Sequence, residues 1–257
     1  MIGRIWRHRS LLVSLVRRQY QLRYRQSFGG WVWAILPPLL GTGVGTLVFH
    51  KVAGIETGST PYALFIMAGL VPWTFFASSL QLGVPSILQF QMIVSRVPFP
   101  RAVVPLSMMG LALLDLLVAS IVFVIFAYAL GQGLLLTGWW FLVLLLVEIA
   151  LTAGVVLLGS AVTVFARDLR VGIPLLVQLW LFLTPVLYPL DSVPESLRRL
   201  YLLNPMTGLI VSFRDVLLYG QIPELKILIP ALVGATLLLA LGTWYFRSTE
   251  DRFADVI

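Results

Sequence analysis

The sequence predicts an all-α protein that crosses a membrane several times, and three observations support this fold class. Of its 257 residues, 59% are hydrophobic and only 11% are charged. The mean hydropathy is +0.96, whereas a soluble domain needs many more charges on its surface. Six apolar runs reach the roughly 17 to 25 residues that cross a bilayer as a helix. They cover residues 30–49, 62–82, 102–130, 139–166, 171–187 and 227–246.

We expect a single domain over residues 1–257, organised in four consecutive parts. These are a cytoplasmic interface helix (1–29), spans one to five (30–190), external re-entrant gate helices (191–224), and span six with a cytoplasmic tail (225–257). No cleavable signal is expected, because the first 29 residues hold seven arginines and no apolar core that ends in a small-residue cleavage site. The first span therefore targets the protein to the membrane.

The N-terminal segment, residues 4–25, places apolar side chains and arginines on opposite sides of a helix. This pattern predicts an amphipathic helix on the inner leaflet, with its arginines among anionic lipid headgroups. The alternative is a simple positive-inside anchor with no further role.

Glycines and prolines shape the first two spans. Gly29 and Gly30 interrupt the helix before span one, and Pro37 and Pro38 kink that span early. Pro72 removes one helical hydrogen bond from span two, so we expect a broken helix whose free carbonyl is satisfied by neighbours.

The loop of residues 84–101 lies between spans two and three, and prolines bracket a segment of roughly three helical turns within it. The segment mixes apolar residues with polar ones, among them Arg96. A short interfacial helix accounts for this mixture. It offers a cytoplasmic place at which a separate motor protein acts on the membrane part.

Spans three and four each carry one acid within the apolar run, Asp115 and Glu148. A charge at the bilayer centre costs at least ~2.5 kcal/mol, so each acid must face protein or water, or be protonated. A functional role and a hydrogen bond that packs two helices are both open interpretations.

The last third of the chain is too amphipathic to be a simple span. We predict two short helices, Glu195–Leu203 and Met206–Tyr219, separated by the Asn204-Pro205 break. They enter the outer leaflet without crossing it, which requires protein or water around their ends. With this topology 13 of the 18 basic residues are cytoplasmic, so both termini are expected in the cytoplasm.

The sequence lacks the motifs of several common enzyme classes. It contains no Walker A, HExxH or GxSxG sequence and no cysteine, and its two histidines, His8 and His50, are expected at different membrane faces. We therefore predict no catalytic residue and no metal site. The net charge of +7 follows membrane topology and does not indicate nucleic-acid binding. A transport pathway that needs an external energy source fits best.

Several motifs resemble the permease subunit of ABC polysaccharide exporters, the type-2 ABC permeases that export O-antigen, teichoic acid or capsule. The similar segments, in the family's order, are RYRQSFGGWVWAILPPL, PYALFIMAGLVPWTFF, SRVPFPRAVVPL, VTVFARDLR, FLTPVLYPLDSVPE, LNPMTGLIVSFRDVLLYG and the terminal ED-FAD-I pattern. They cover nearly the whole chain. They do not separate the family's substrates.

This resemblance implies a homodimer with two copies of a separate ATPase subunit, which holds the ATP and Mg²⁺, so that this chain carries no cofactor. The residues implied in ATPase coupling are Ser86, Gln89, Gln91, Ser95, Arg96, Arg167 and Asp168. The external gate maps onto Arg198, Arg199, Asn204, Arg214 and Asp215. The implied location is the bacterial cytoplasmic (inner) membrane.

Aromatic residues give weak independent support for a sugar path. The candidates in spans one and five are Trp33, Phe49, Trp180, Phe182 and Tyr188. Their flat faces suit sugar rings, although aromatic residues at membrane interfaces are also ordinary anchors. As a hypothesis, the lipid-linked pyrophosphate binds Arg17, Arg18, Arg23 and Arg25 at the inner leaflet.

We therefore expect a permease that exports a lipid-linked polysaccharide. The alternatives are the same architecture moving a small drug or a lipid, a membrane-embedded polyprenyl-phosphate sugar transferase that uses Asp115 or Glu148, and a structural membrane scaffold.

Overall fold

The computed structural model describes residues 7–24, 32–52, 60–97, 99–133 and 136–256, together with Gly3 and Gly54. These residues fold into helices and turns, and no strand occurs among them. The α-helices are α1 (Arg9–Tyr24), α2 (Val32–Gly45), α3 (Tyr62–Gly83), α4 (Ser86–Gln89), α5 (Gln91–Arg96), α6 (Val103–Ala129), α7 (Trp140–Phe165), α8 (Leu169–Phe182), α9 (Glu195–Leu202), α10 (Pro205–Arg214), α11 (Leu225–Thr249) and α12 (Phe253–Val256). Two π-helical turns, Thr46–Val52 and Asp215–Tyr219, continue α2 and α10. The predicted all-α class is confirmed.

Five helical segments of the described chain are long and apolar enough to cross a membrane. They are Ile35–Val52, Tyr62–Gly83, Val103–Ala129, Thr137–Phe165 and Leu225–Arg252. The predicted span five, residues 171–187, is only partly helical, because α8 ends at Phe182 after 14 residues. Pro185 disfavours helical backbone in the residue before it and has no N–H to donate. The six-span arrangement is consistent with this structure and stays a prediction.

Helix α3 lies at the centre of the bundle, with 16 of its 22 residues buried. It packs against α2, α6, α7, α8 and α10. The prediction that Pro72 breaks this span is wrong, since one continuous helix runs from Tyr62 to Gly83. Val71, Pro72 and Trp73 are all buried, so packing on every side holds the helix together although one backbone hydrogen bond is missing.

The helices α9 and α10 form the helical pair that the sequence predicts between residues 191 and 224, and their re-entry into the membrane stays a prediction. The Cβ of an alanine at Gly234 would overlap the Pro205 ring, and Gly208 lies against the carbonyl of Ile227 and the methyl of Ala231. Gly234 is nine residues inside α11, about 13 Å from its outer end. The start of α10 is therefore deep in the bundle, and the helix runs back outward along α11. The predicted break at Asn204-Pro205 is confirmed, and Gly220 (φ +65°) ends the π turn.

The helices α7 and α11 cross at a pair of glycines, Gly154 and Gly242. A Cβ added to Gly242 would overlap the carbonyl oxygen of Gly154, and one added to Gly154 would lie 2.5 Å from the backbone of Leu238. Membrane helices lack a hydrophobic driving force between them and depend on such close backbone approach. Any side chain at either position forces the two spans apart.

We predict that Gly242→Val lowers the free energy of unfolding by about 1 to 3 kcal/mol, because overpacking strains the crossing. The loss is measured as a lower midpoint of thermal unfolding in mild detergent. Gly172→Ala is the control, because no atom lies within 4 Å of the added methyl group. Equal midpoints for the two variants would show that this crossing does not hold the spans together.

Candidate coupling surface, span faces and outer gate

The loop between α3 and α6, which the sequence predicts to be cytoplasmic, forms two short helices rather than one of roughly three turns. α4 and α5 meet at Phe90, whose backbone (φ −102°, ψ 19°) leaves the helical region. Ile87 and Val94 are buried beneath them. The break allows each helix to turn its apolar side toward the protein, and no glycine or proline marks it in the sequence.

The other side of α4 and α5 is exposed and forms the candidate coupling surface. It presents Gln89, Gln91, Met92, Ser95 and Arg96. Within α5, Met92 is three residues from Ser95 and four from Arg96, the spacing of one helical face. Met92 is 66% exposed, and a flexible thioether on a polar surface is typical of a protein-binding face. The sequence analysis missed Met92, although its spacing from Gln89 and Arg96 was a usable signal.

Ser86 lies apart from this surface. It is buried, and its hydroxyl donates a hydrogen bond to the carbonyl oxygen of Gly83 at 2.6 Å. Its side chain therefore satisfies the C-terminal end of α3 and is not available to a partner on the exposed side.

A cytoplasmic hydrophobic cluster lies directly under the coupling surface. Its buried members are Ile87, Val94, Ala102, Val104, Leu157, Ala161, Val164, Phe246 and Phe253. Phe253 comes from the C-terminal tail, and its ring centroid is 5.3 Å from that of Phe246 and 6.2 Å from that of Phe165. The Arg101 guanidinium lies 6.0 Å above the Phe253 ring. The tail therefore joins α5 to the cytoplasmic ends of α7 and α11.

Arg167 and Asp168, the second region predicted to contact the ATPase, are exposed in the turn between α7 and α8. The Arg167 guanidinium donates a hydrogen bond to the backbone carbonyl of Val256 at 3.2 Å. The C-terminal tail thus connects the two regions that the sequence singled out separately.

Several helices of the single chain leave broad apolar faces uncovered, among them the candidate channel helices α2 and α8. Only 17% of residues 35–52, the window of span one, is buried. α8 buries Ile173 and Val177 but exposes its opposite side. The exposed apolar residues of α8 and its end are Val171, Leu175, Leu176, Leu179, Phe182 and Leu183. These faces need lipid, substrate or another protein surface to cover them.

The aromatic candidates are distributed between these faces and the core. Phe182 is 51% exposed, and Phe49 is half-buried against the main core. Trp180 is half-buried, with its ring edge-on to Phe76 at a centroid distance of 5.0 Å. The side chain of Trp33 lies outside the described residues.

Tyr188, the remaining aromatic candidate, makes hydrogen bonds within the chain. The Tyr188 hydroxyl is 2.7 Å from the carbonyl oxygen of Phe182, to which it donates, and 3.1 Å from the Tyr201 hydroxyl. These bonds tie the end of α8 to α9. The hydroxyl of Tyr188 is therefore a structural group within the chain.

Asn204 links α8 to the re-entrant pair. Its side-chain oxygen accepts hydrogen bonds from the Trp180 indole N–H and the Met206 backbone N–H, both at 3.2 Å. Its amide nitrogen donates to the Thr184 hydroxyl at 2.9 Å. One side chain therefore caps α10 and fixes it to α8 at the depth where α10 begins.

The two adjacent arginines of α9 differ in their contacts. Arg198 donates to the carbonyl oxygens of Val193 at 3.0 Å and Asp191 at 2.9 Å, and it pairs with the Asp191 carboxylate at 3.6 Å. It thus secures the turn before α9. Arg199 is exposed on the same helix.

Arg214 is the most buried of the gate candidates, with 3% exposure. Its guanidinium donates to the carbonyl oxygens of Phe65 at 3.1 Å, Pro185 at 2.6 Å and Val186. It also lies 3.6 Å over the Phe65 ring, a cation–π contact. Arg214 therefore joins α10 to the outer part of α3 and to the chain that follows α8, and it is not part of an exposed gate surface.

Asp215 follows Arg214 and is half-buried at the start of the π turn. Burial, assisted by the nearby charge of Glu224, raises the pKa of Asp215 to about 6, and the charge of Arg214 opposes the shift. The carboxyl is therefore still largely ionised at neutral pH.

The candidate phosphate-binding arginines have different environments. Arg17 and Arg18 are exposed on α1. The Arg23 guanidinium donates to the Asp115 carboxylate of α6 at 3.0 Å, so its charge is already paired. Arg25 lies outside the described residues.

Comparison with known proteins gives a family. The model of the "ABC-2 type transporter" family matches residues 10–218, most of the chain. The chain belongs to the ABC-2 type transporter family. It is 31% identical to an "O-antigen export system permease protein RfbA" of Myxococcus xanthus over 100% of this chain and 99% of that protein. A protein of the same name from Klebsiella pneumoniae is 30% identical (96% and 95% covered). The "Polysialic acid transport protein KpsM" of Escherichia coli is 24% identical (93% and 93%).

The intramembrane acids of this ABC-2 chain have opposite surroundings. Asp115 accepts hydrogen bonds from Arg23 and from the Tyr24 hydroxyl, the latter at 2.6 Å, so the expectation that it faces protein is confirmed. Glu148 is fully buried in α7, and within the described chain neither of its oxygens has a hydrogen-bond partner. Asp115 thus serves helix packing, whereas the helix-packing bond considered for Glu148 is not observed in that part of the chain.

We predict that Arg214→Met lowers the free energy of unfolding of this permease by about 3 kcal/mol or more, because three buried carbonyls lose their donor. Thermal unfolding in mild detergent measures the loss. Arg199→Met on the adjacent helix is the matched control, since Arg199 is exposed. Similar unfolding of the two variants would contradict a structural role for the buried guanidinium.

Proposed function

We propose that this ABC-2 permease is the membrane subunit of an ATP-driven transporter that exports a lipid-linked polysaccharide, of O-antigen, teichoic acid or capsule type, across the cytoplasmic membrane. Full-length similarity to O-antigen permeases of two organisms carries the proposal. The more distant similarity to a polysialic acid transport protein supports the same substrate class.

The energy comes from a separate ABC ATPase, which holds the ATP and Mg²⁺, while this chain carries no cofactor. The coupling surface on α4 and α5 is its docking site, together with Arg167 and Asp168. The exposed Met92 and Arg96 beside the buried Ile87 and Val94 support this assignment. The apolar cluster directly behind the surface is close-packed, so a displacement of α5 is transmitted to the ends of α6, α7 and α11.

Two copies of the chain form a homodimer with two ATPase subunits, and the channel lies between the copies. The uncovered apolar faces of α2 and α8 support this arrangement, because they need another surface to cover them, and α8 is tied to the re-entrant helices through Trp180 and Asn204. Phe182 and Phe49 are then the aromatic candidates best placed to meet a passing sugar chain. Membrane lipids cover the remaining apolar surface, and no nucleic acid is involved.

The chain spans the inner membrane of a bacterium several times, with its N and C termini in the cytoplasm. The multi-pass character follows from the family and the apolar helices. The excess of arginine in the N-terminal segment, the coupling loop and the tail supports the orientation. Packing of the C-terminal tail under the coupling surface places both on one side.

The sugar-transferase alternative requires Asp115 or Glu148 as a reacting acid. Asp115 is engaged by Arg23 and Tyr24, and Glu148 has 0% exposure. The carboxylate of Asp115 is already bound by two side chains and Glu148 is away from any surface, which favours export. The family alone does not separate a polysaccharide from a small drug or a lipid, and that choice rests on the similar proteins.

We predict that an ABC ATPase copurifies with this chain in equal amount from gently solubilised membranes, and that Arg96→Glu weakens the association at least about tenfold, since it reverses a charge at an interface. Arg247→Glu, also exposed but on α11, is the control. If the wild-type chain purifies without any ATPase, the proposed function is wrong. If only Arg96→Glu fails to weaken binding, the docking site is wrong.

We predict that Phe253→Ala reduces ATPase binding and transport, because losing a buried phenyl ring costs about 3 to 5 kcal/mol and loosens the support of α5. Val256→Ala in the same tail is the control, since Val256 is 39% exposed. ATPase stimulation by the reconstituted permease measures coupling. Full coupling by a folded Phe253→Ala variant would show that the tail does not support the surface.

A further inference from the structure

A groove of about 620 Å³ runs between the interface helix α1 and the membrane helix α6. Val13, Val16 and Arg17 line it from α1, and Leu117, Val118 and Ile121 line it from α6. The groove does not touch the coupling surface or the re-entrant pair. Its lining is apolar apart from Arg17, two tyrosines and the paired Asp115.

The groove lies along the middle part of α6, after the first residues of that helix, which are buried in protein. α6 has 27 residues and is about 40 Å long, about 10 Å more than the hydrocarbon core. Its first residues are buried in protein, and Val16 of α1 covers Gly110. Exposed apolar residues of α6 begin at Leu114 and continue through Leu117 and Ile121. The groove therefore lies at the position along α6 where its cover by α1 ends and its exposed apolar surface begins.

The charges around the groove favour an anion at its cytoplasmic rim. The Asp115 carboxylate is neutralised by Arg23 and bound by the Tyr24 hydroxyl. Arg17 is exposed, and no ion pair joins it to an acid of the described chain. The exposed guanidinium of Arg17 at the rim of an apolar cleft complements a lipid phosphate, because a long arginine side chain can extend from hydrocarbon to the headgroups.

We propose that this groove binds one anionic phospholipid of the inner leaflet, with its phosphate on Arg17 and an acyl chain along Leu117, Val118 and Ile121. The bound lipid fills the space between α1 and α6 and fixes the interface helix to the membrane. Arg17 is thereby assigned to a structural lipid rather than to the transported one. The inference does not depend on which polymer is exported.

A phospholipid fits the groove better than the lipid-linked polysaccharide. The groove offers a single unpaired cation and hydrocarbon surface, whereas a sugar-bearing pyrophosphate requires several polar partners. The groove lies between α1 and α6, whereas the channel proposed above is lined by α2 and α8. A pyrophosphate site elsewhere on the protein remains compatible with this assignment.

The test uses the full chain reconstituted in nanodiscs that contain phosphatidylglycerol and phosphatidylcholine in equal amounts. The protein is extracted again in mild detergent, and the retained lipid is identified and counted by mass spectrometry. Arg17→Gln is compared with Arg18→Gln, a matched control on the same helix whose side chain does not line the groove. Thermal unfolding verifies that all variants are folded.

We expect about one phosphatidylglycerol per chain in the wild type and in Arg18→Gln, and about fivefold less in Arg17→Gln, the effect of one basic residue near a lipid surface. Equal retention in both variants, or retention of phosphatidylcholine instead, would overturn the proposal. Preferential retention of a polyprenyl phosphate from the cells would assign the groove to the substrate.

A second experiment separates a lipid from a second protein copy in the groove. Because the chain has no cysteine, Val118→Cys introduces a single thiol on the α6 wall. A disulfide-linked dimer of this variant would place another copy there and overturn the proposal. Labelling of Val118→Cys by a thiol reagent, slowed by added phosphatidylglycerol and not by phosphatidylcholine, is the expected result.

Discussion

The buried guanidinium of Arg214 is the contact on which the outer half of this permease depends. It donates hydrogen bonds to the carbonyl oxygen of Phe65 in α3 and to those of Pro185 and Val186. Pro185 and Val186 follow the end of α8, so their backbone lacks regular helical hydrogen bonds. In a bilayer such carbonyls have no water to bind, so they must be satisfied by protein. One side chain thus makes a non-helical segment tolerable at membrane depth.

The same constraint explains why the re-entrant pair sits against α11 and α8 rather than free in the lipid. The start of α10 is capped by Asn204, which is itself bonded to Trp180 and Thr184. Its body is packed through Gly208 against the backbone of Ile227. The N-terminal end of α10 therefore meets protein. Movement of α8 during transport would act on α10 directly through Asn204 and Arg214.

Local chemistry made some of these features predictable. The Asn204-Pro205 pair marked the turn between the gate helices, and the amphipathic pattern marked α1. The six apolar runs predict the fold class by their length and composition, and packing does not enter that prediction. The sequence also required partners for Asp115, but not their identity, since Arg23 and Tyr24 are more than 90 residues away along the chain.

Other features depend on distant contacts, and no local pattern reveals them. Arg214 appeared as a charge on an external helix, whereas its partner Phe65 is 149 residues away in sequence. The helix α3 is continuous through Pro72 because neighbouring helices enclose it, whereas the low helix propensity of proline alone predicts a break. The break at Phe90 arises because the two halves of the loop bury different apolar residues. These outcomes are set by tertiary packing, which overrides local preference.

In the proposed function, the hydrophobic cluster beneath the coupling surface connects the ATPase to the spans. Phe253 of the tail, Phe246 of α11 and Val94 of the coupling loop share one apolar core. Close-packed cores move as units, because separating their side chains forfeits many dispersion contacts at once. A displacement of α5 is therefore transmitted to α11, which crosses α7 backbone-to-backbone at Gly154 and Gly242. On the outer side α11 supports α10 at Gly208 and Gly234, so a continuous packed path leads from the coupling surface to the re-entrant helices.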